Sequence, residues 1–227
     1  HVPLAEMCIE AGANFVSSSY IAPEMRALDD KARNAGVTCV NEVGLDPGID
    51  HLMAHYLVAD YRASDAFSPA NDISFISYCG GIPKHPNPFR YKFSWSPLGV
   101  LKALRSPSRS VRDYSELNAP LPTPETFEVY PNRDSVPFIE DYRFDSSWRI
   151  KEFVRGTLRL NGWADAWSDI FREIETLEGE SGDARLKEMS DQFWDENAYD
   201  EGEPDRVVLC VSLKAEHNGE PVWHKTY

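Results

Sequence analysis

Two short runs near the start of the sequence carry side chains suited to moving protons. Ser17-Ser18-Ser19-Tyr20 closes a predicted strand, and Gly44-Leu45-Asp46-Pro47-Gly48-Ile49-Asp50 follows the next one. In an open parallel sheet, ligands lie beyond the carboxyl ends of the strands, so both runs would reach the same edge. Read by spacing alone, the serines form a polar turn that caps the helix after Pro23, and Asp46 before Pro47 is a helix N-cap. The functional alternative sets Asp46 beside Tyr20, exchanging protons or orienting a nicotinamide.

Further along, Ser77-Tyr78-Cys79-Gly80-Gly81 ends a strand. Cys79 is there either a small buried residue before a turn or a thiol exposed over two glycines. Arg155, Thr157 and Arg159 alternate with Val154, Gly156, Leu158 and Leu160. Strand geometry puts the first three on one face, roughly 7 Å apart. Two neighbouring guanidiniums repel unless an anion lies between them, either a carboxylate of the chain or a dicarboxylate ligand. Arg133, in Pro131-Asn132-Arg133-Asp134, offers a third. His51 and His55 have the i, i+4 spacing of a zinc pair, but Leu52 stands where H-E-x-x-H requires a glutamate. They read as a solvent-facing or core-edge pair, and no metal is expected.

These groups need a scaffold, and the periodicities supply one. Val2–Ala11 reads as a helix, 14–18 as a strand, and 23–35 as a helix that Gly36 stops. Val37–Val43 is a buried strand, and Ile49, Leu52, Met53, Tyr56 and Leu57 mark an amphipathic helix. Strand and helix alternating at this spacing predict a parallel sheet with right-handed crossovers, the tail of a doubly wound domain over residues 1–60. A mixed α+β domain is expected over 61–227, with strands at 72–79, 126–130, 149–160 and 206–213. It adds a helix at 97–105, a helical stripe at 163–177, a weaker helix near 184–194 and a hairpin turn at Asn218-Gly219. The helical segment as a whole covers about 163–205.

Composition narrows the partners. A net charge of −14 over 227 residues disfavours nucleic acid, whose binding needs clustered Lys and Arg. No stretch reaches the ~18 apolar residues of a membrane span. Four scattered cysteines without a C-x-x-C pair fit a reducing, cytoplasmic setting better than zinc or a disulfide framework. No G-x-G-x-x-G occurs, and the chain opens on His1 inside a helical pattern. We therefore expect a fragment whose phosphate-binding glycine loop lies upstream, inactive by itself.

Together the runs at 17–55, SFISYCGG at 74–81, YKFSWSPLGVLKALR at 91–105, YPNRDS at 130–135 and VRGTLRLNGW at 154–163 resemble saccharopine dehydrogenase of the glutamate-forming type. The resemblance implies a Rossmann domain, an α/β substrate and dimerisation domain with a helical segment, and a homodimer. It also implies NADP(H), with NAD possible, and reversible reduction of the imine of glutamate and aminoadipate semialdehyde to saccharopine in lysine metabolism. By position, Ser18, Ser19, Leu45, Asp46, Pro47 and Ser96 match cofactor-side residues. Ser19, Tyr20, Arg133, Thr157, Leu158 and Arg159 match saccharopine contacts, and Tyr20, Asp46 and Cys79 match acid–base candidates. Pro97-Leu98 departs from the Ser-Arg of some relatives, and 164–205 shows little resemblance. The alternatives are a dehydrogenase of a carboxylated polyamine and a non-catalytic dimerisation or binding module.

Overall fold

The computed structural model describes residues 1–105, 108–111, 126–132 and 134–227. They form two compact units, His1–Asp60 and Tyr61–Tyr227.

In the first unit, helix α1 (Val2–Glu10) has proline in its first turn, where a missing N–H costs nothing. It leads into β1 (Phe15–Val16), and after helices α2 (Pro23–Arg26) and α3 (Asp29–Ala35) the chain returns as β2 (Cys39–Val40). The strands pair in parallel, Phe15 opposite Cys39 and Val16 opposite Val40. Ala5, Ile9, Phe15, Met25, Leu28 and Ala32 close a small core over them. Gly36 ends α3 in the left-handed region, at φ 67°. The single helix expected over 23–35 is broken at Ala27-Leu28, where the buried Leu28 turns into the core between two short helices. Helix α4 (Ile49–Ala63) then carries the chain into the second unit.

The second unit is a five-stranded mixed sheet in the order β4-β5-β3-β6-β7. Its centre is β3 (Asp72–Pro83), parallel to β5 (Arg149–Leu160) and antiparallel to β6 (Asp205–His217). A strand with neighbours on both sides and cover on both faces reads as a nearly continuous apolar run, as DISFISYCGGIP does. The outer strands are β4 (Phe127–Pro131) and β7 (Glu220–Thr226), both antiparallel to their neighbours. Asn218 and Gly219, at φ 53° and 84°, make the tight turn between β6 and β7.

One sheet face carries a ladder of rings. Phe75 and Phe153 lie opposite each other in register and stack at 4.8 Å. Tyr142 and Phe144 pack edge-on against Phe75, just after helix α6 (Pro137–Asp141), an element the sequence reading did not anticipate. The other face holds Tyr78, Val154 and Leu158. Here Gly156 is required by space, because an added Cβ would sit 2.7 Å from both Tyr78 Cε1 and the Tyr130 carbonyl oxygen. Gly156→Ala is expected to destabilise the protein by about 1–3 kcal/mol, read as a lower midpoint in urea unfolding.

A second core lies among helices α5 (Pro97–Arg105), α7 (Trp163–Ala166), α8 (Ser168–Thr176) and α9 (Gly179–Asn197). Trp167 is fully buried at its middle and donates its indole N–H to the Phe89 carbonyl at 2.9 Å. That demand breaks the stripe at 163–177 into two helices, with Trp167 between them at a non-helical φ/ψ. The helix expected near 184–194 instead runs through 19 residues from Gly179, burying Leu186, Met189 and Phe193.

Candidate functional site

In the first unit, parallel β1 and β2 deliver both candidate runs at their carboxyl ends. The Tyr20 hydroxyl donates to Asp46 Oδ1 at 2.8 Å, joining the two runs. The capping reading of Asp46 fails, since α4 starts only at Ile49 and the carboxylate receives the phenol instead. The serines do not cap α2 either, since its N-cap is Ala22 with no side-chain bond. Ser17 Oγ accepts the Ser19 N–H at 3.0 Å, tightening the turn before Tyr20. Ser18 is exposed, Ser19, Leu45 and Asp46 are partly buried, and Pro47 is buried. Gly44 allows the runs to approach, because a Cβ there would lie 3.1 Å from Ser18 Cβ and from the Pro47 oxygen.

Three residues to which the sequence reading gave no role beside Tyr20 and Asp46 lie around this pair. Glu42 follows β2 at φ 58° and accepts the Ile21 N–H at 3.0 Å. His51 presents Nε2 to the Glu42 carboxylate at 3.1 Å and Nδ1 to that of Asp50 at 3.4 Å. Asp50, fully buried, accepts the Gly48 N–H at 2.7 Å. The i, i+4 spacing of His51 and His55 reads as a solvent-facing or core-edge pair, and His51, at 14% exposure, lies at a core edge. The left-handed Glu42 had no signal in the sequence.

In the second unit, Cys79 lies opposite Thr157 in the β3–β5 ladder, so the two share a sheet face with Arg155 and Arg159. Leu158 faces the other way, fully buried against Tyr78 and Val154, leaving only its backbone for the Cys79 face. Each of the two arginines meets aromatic rings. The Arg155 guanidinium lies 4.1 Å from the Phe138 ring. Arg159, buried, sits among the rings of Tyr91, Tyr130 and Trp163 at 4.7–5.5 Å. It donates to the Leu158 carbonyl at 3.0 Å and to the Tyr130 hydroxyl at 2.9 Å. Its Nε has no hydrogen-bond partner, and no carboxylate pairs with it among the described residues. Glu128 lies directly opposite Arg159 in the β4–β5 ladder, and its carboxylate is turned to the backbone N–H groups of Gly162 and Ala164 at the start of α7. Ser96, exposed, precedes α5 and caps it through the Gly99 N–H at 3.3 Å. Arg133 lies outside the described residues.

Burial pushes the Tyr130 phenol above its ordinary 10.0, although the Arg159 guanidinium and the Thr157 hydroxyl pull the other way. Tyr130 is thus a neutral acceptor that adds no countercharge to Arg159. Tyr199 is pushed further, to about 12, by burial and then by Asp205, Tyr91 and Glu203. Both folded values exceed the unfolded one, so their stabilisation is complete below pH 10 and is lost as pH rises through the folded values. Spectrophotometric titration should show late phenolates, one removed by Tyr130→Phe and another by Tyr199→Phe. Among the described residues no group of three or more His, Cys, Asp or Glu is placed to hold a metal ion, and no helix is long and apolar enough to cross a membrane.

Residues 44–227 match the family model for the saccharopine dehydrogenase C-terminal domain, and 1–40 that for the saccharopine dehydrogenase NADP binding domain. The chain belongs to the saccharopine dehydrogenase family. Within it, this chain is 34% identical over 230 residues to the mitochondrial alpha-aminoadipic semialdehyde synthase of Mus musculus, across 94% of the chain and 24% of that relative. It is 38% identical over 178 residues to saccharopine dehydrogenase (NADP(+), L-glutamate-forming) of Pyricularia oryzae, across 72% of the chain and 38% of the relative. The Saccharomyces cerevisiae enzyme of the same name is also 38% identical, over 181 residues. The chain therefore spans between a quarter and two-fifths of the length of these curated relatives. The fold agrees with the apo saccharopine dehydrogenase (L-Glu forming) of S. cerevisiae at a TM-score of 0.73 and 24% identity, over the whole of this chain and 66% of that one.

Proposed function

We propose that this chain contributes the proton-transfer and carboxylate-recognition groups of an NADP(H)-dependent oxidoreductase interconverting saccharopine with glutamate and aminoadipate semialdehyde. The observation that carries this reading is the Tyr20–Asp46 hydrogen bond between two loops at the carboxyl ends of parallel strands. That edge is where a doubly wound sheet receives its dinucleotide. Nearby, Asn41 Nδ2, just past β2, is buried without a hydrogen-bond partner, which fits a ligand supplying one. Ser18, Ser19, Leu45, Asp46 and Pro47 would line the cofactor side, and Ser96 is the matching residue of the second unit. Bound NADP(H) supplies or accepts the hydride at the imine carbon.

The chain's own residues handle charge and protons. Condensation of an amine with an aldehyde to an imine releases water and moves protons at nitrogen and at the departing oxygen. A carboxylate joined to a phenol can hold one of those protons and pass it on. In the second unit, the Arg159 guanidinium, with Nε unsatisfied and no carboxylate ion-paired to it among the described residues, suits a substrate carboxylate, and Thr157 and the Cys79 thiol share its sheet face. Saccharopine, with three carboxylates, matches this demand better than a singly charged amine. The division of labour largely follows the two units, 1–60 for the cofactor and 61–227 for the substrate, with Ser96 on one hand and Ser19 and Tyr20 on the other crossing it. Exposed Val207 on β6, Val222 on β7 and Tyr227 just after it support a homodimer, which light scattering would read.

The test is reduction of NADP⁺ or NAD⁺ by the full-length protein with saccharopine, followed by nicotinamide absorbance. Saccharopine-dependent reduction is expected. Turnover only with a carboxylated polyamine would move the substrate, and none with either would leave a binding module.

A further inference from the structure

We infer that Glu42, His51 and Asp50 form a brace of positioning residues that sets the geometry of the Tyr20–Asp46 pair; its catalytic consequence rests on the function proposed above. Glu42 grips the chain on both sides of Tyr20. Its backbone N–H donates to the Ser19 carbonyl at 3.2 Å, and its carboxylate accepts the Ile21 N–H at 3.0 Å. Asp50 does the same around Asp46. Its backbone N–H donates to the Leu45 carbonyl at 3.1 Å, and its carboxylate accepts the Gly48 N–H at 2.7 Å. Each loop is therefore clamped by one acidic residue, immediately beside the side chain that it presents.

His51 ties the two clamps together. Its ring lies between the carboxylates, 3.1 Å from Glu42 and 3.4 Å from Asp50, and is only 14% exposed. Each of its two ring nitrogens faces one of the carboxylates, so a single planar ring bridges both clamps. The surroundings add constraint. Glu42 is held at φ 58°, a conformation that a non-glycine residue keeps only when its neighbours fix it. Gly48 has no room for a Cβ, which would lie 2.1 Å from the Gly44 oxygen. None of the three brace residues needs to touch the reacting atoms. They act through Tyr20 and Asp46, where a small misplacement of a proton-transfer group is costly.

The brace can be read directly in the full-length protein with tyrosines carrying ¹³C at Cζ. The Tyr20 resonance is assigned by its loss in Tyr20→Phe, and Asp46→Ala gives its position with the bond broken. His51→Leu should move this resonance toward the Asp46→Ala position while the other tyrosine signals stay in place. Glu42→Gln keeps an acceptor for the Ile21 N–H and removes only the charge facing His51. It should shift the signal the same way, and it stands in if His51→Leu does not fold. An unmoved Tyr20 resonance in the folded variant overturns the brace whether or not the protein turns over saccharopine. Kinetics then test the consequence. His51→Leu should lower kcat by about 10-fold at similar KM, yet cost less than about two-fold when added to Asp46→Asn, because both act through one unit. Equal losses in the two backgrounds would show a merely structural role and overturn the positioning claim. If wild-type protein shows no saccharopine turnover while the resonance still moves, the proposed reaction fails and the brace stands.

Discussion

Asp46→Asn is expected to lower kcat for saccharopine oxidation by about 10²–10⁴-fold with little change in folding. The reasoning separates charge from shape. An asparagine oxygen still accepts the Tyr20 hydroxyl, bonded in the native chain at 2.8 Å, so the joint between the two loops survives. What disappears is a group able to take up and release a proton. Tyr20→Phe removes the other half, the hydroxyl itself, and should fall in the same range. Because the two act as a unit, the double variant should be little worse than either single one. If Asp46→Asn retained wild-type kcat, the pair would have no part in chemistry and its hydrogen bond would be a loop contact. Steady-state rates across pH, with melting temperatures alongside, decide between these outcomes.

The second large effect concerns Arg159, for which binding and stability should move in opposite directions. The guanidinium is buried among three rings, with Nε unsatisfied and no carboxylate partner among the described residues. Such a group costs desolvation energy in the free protein that ring contacts and two hydrogen bonds offset only in part. Arg159→Met fills much of the same space without the charge. The free variant should melt at the same temperature or higher, as seen when buried charges give way to apolar side chains of similar volume. Saccharopine binding should weaken by about 2–5 kcal/mol, roughly 30-fold to several thousand-fold in Kd, through loss of a charge-assisted carboxylate contact. A variant that is destabilised yet binds saccharopine normally would make Arg159 a structural residue and remove the carboxylate subsite.

The sequence made some of this legible and hid the rest for identifiable reasons. Strands β3, β5 and β6 could be read because they are long and pack on both faces, which leaves few polar interruptions. The alternation in β5 correctly put Thr157 and Arg159 on one face and Leu158 on the other, where Leu158 meets Tyr78. It could not show that each guanidinium would find its own rings, because Tyr91, Tyr130 and Phe138 come from distant segments. Helix breaks at Leu28 and Trp167 carry no glycine or proline. They follow from which side chain the core takes in, and that is a tertiary choice. Asp46 looked like a cap because Asp-Pro so often precedes a helix, but α4 begins past Gly48 and the carboxylate was left for Tyr20. The brace was hidden most completely, since it consists of one residue in a left-handed turn and two at the start of a helix.

The strand order also has a consequence for how the protein is made. β3 is the first strand of its sheet to leave the ribosome, yet it lies in the middle, and both of its partners are encoded far downstream. At about 5–20 residues per second, a nascent chain carries this apolar segment without its β6 neighbour for many seconds. Nothing local can satisfy it in that interval, because the pairing is non-local on both sides and such contacts close slowly. The second unit is therefore expected to need shelter while it emerges, and truncation before β6 should give an aggregation-prone product rather than a smaller stable one.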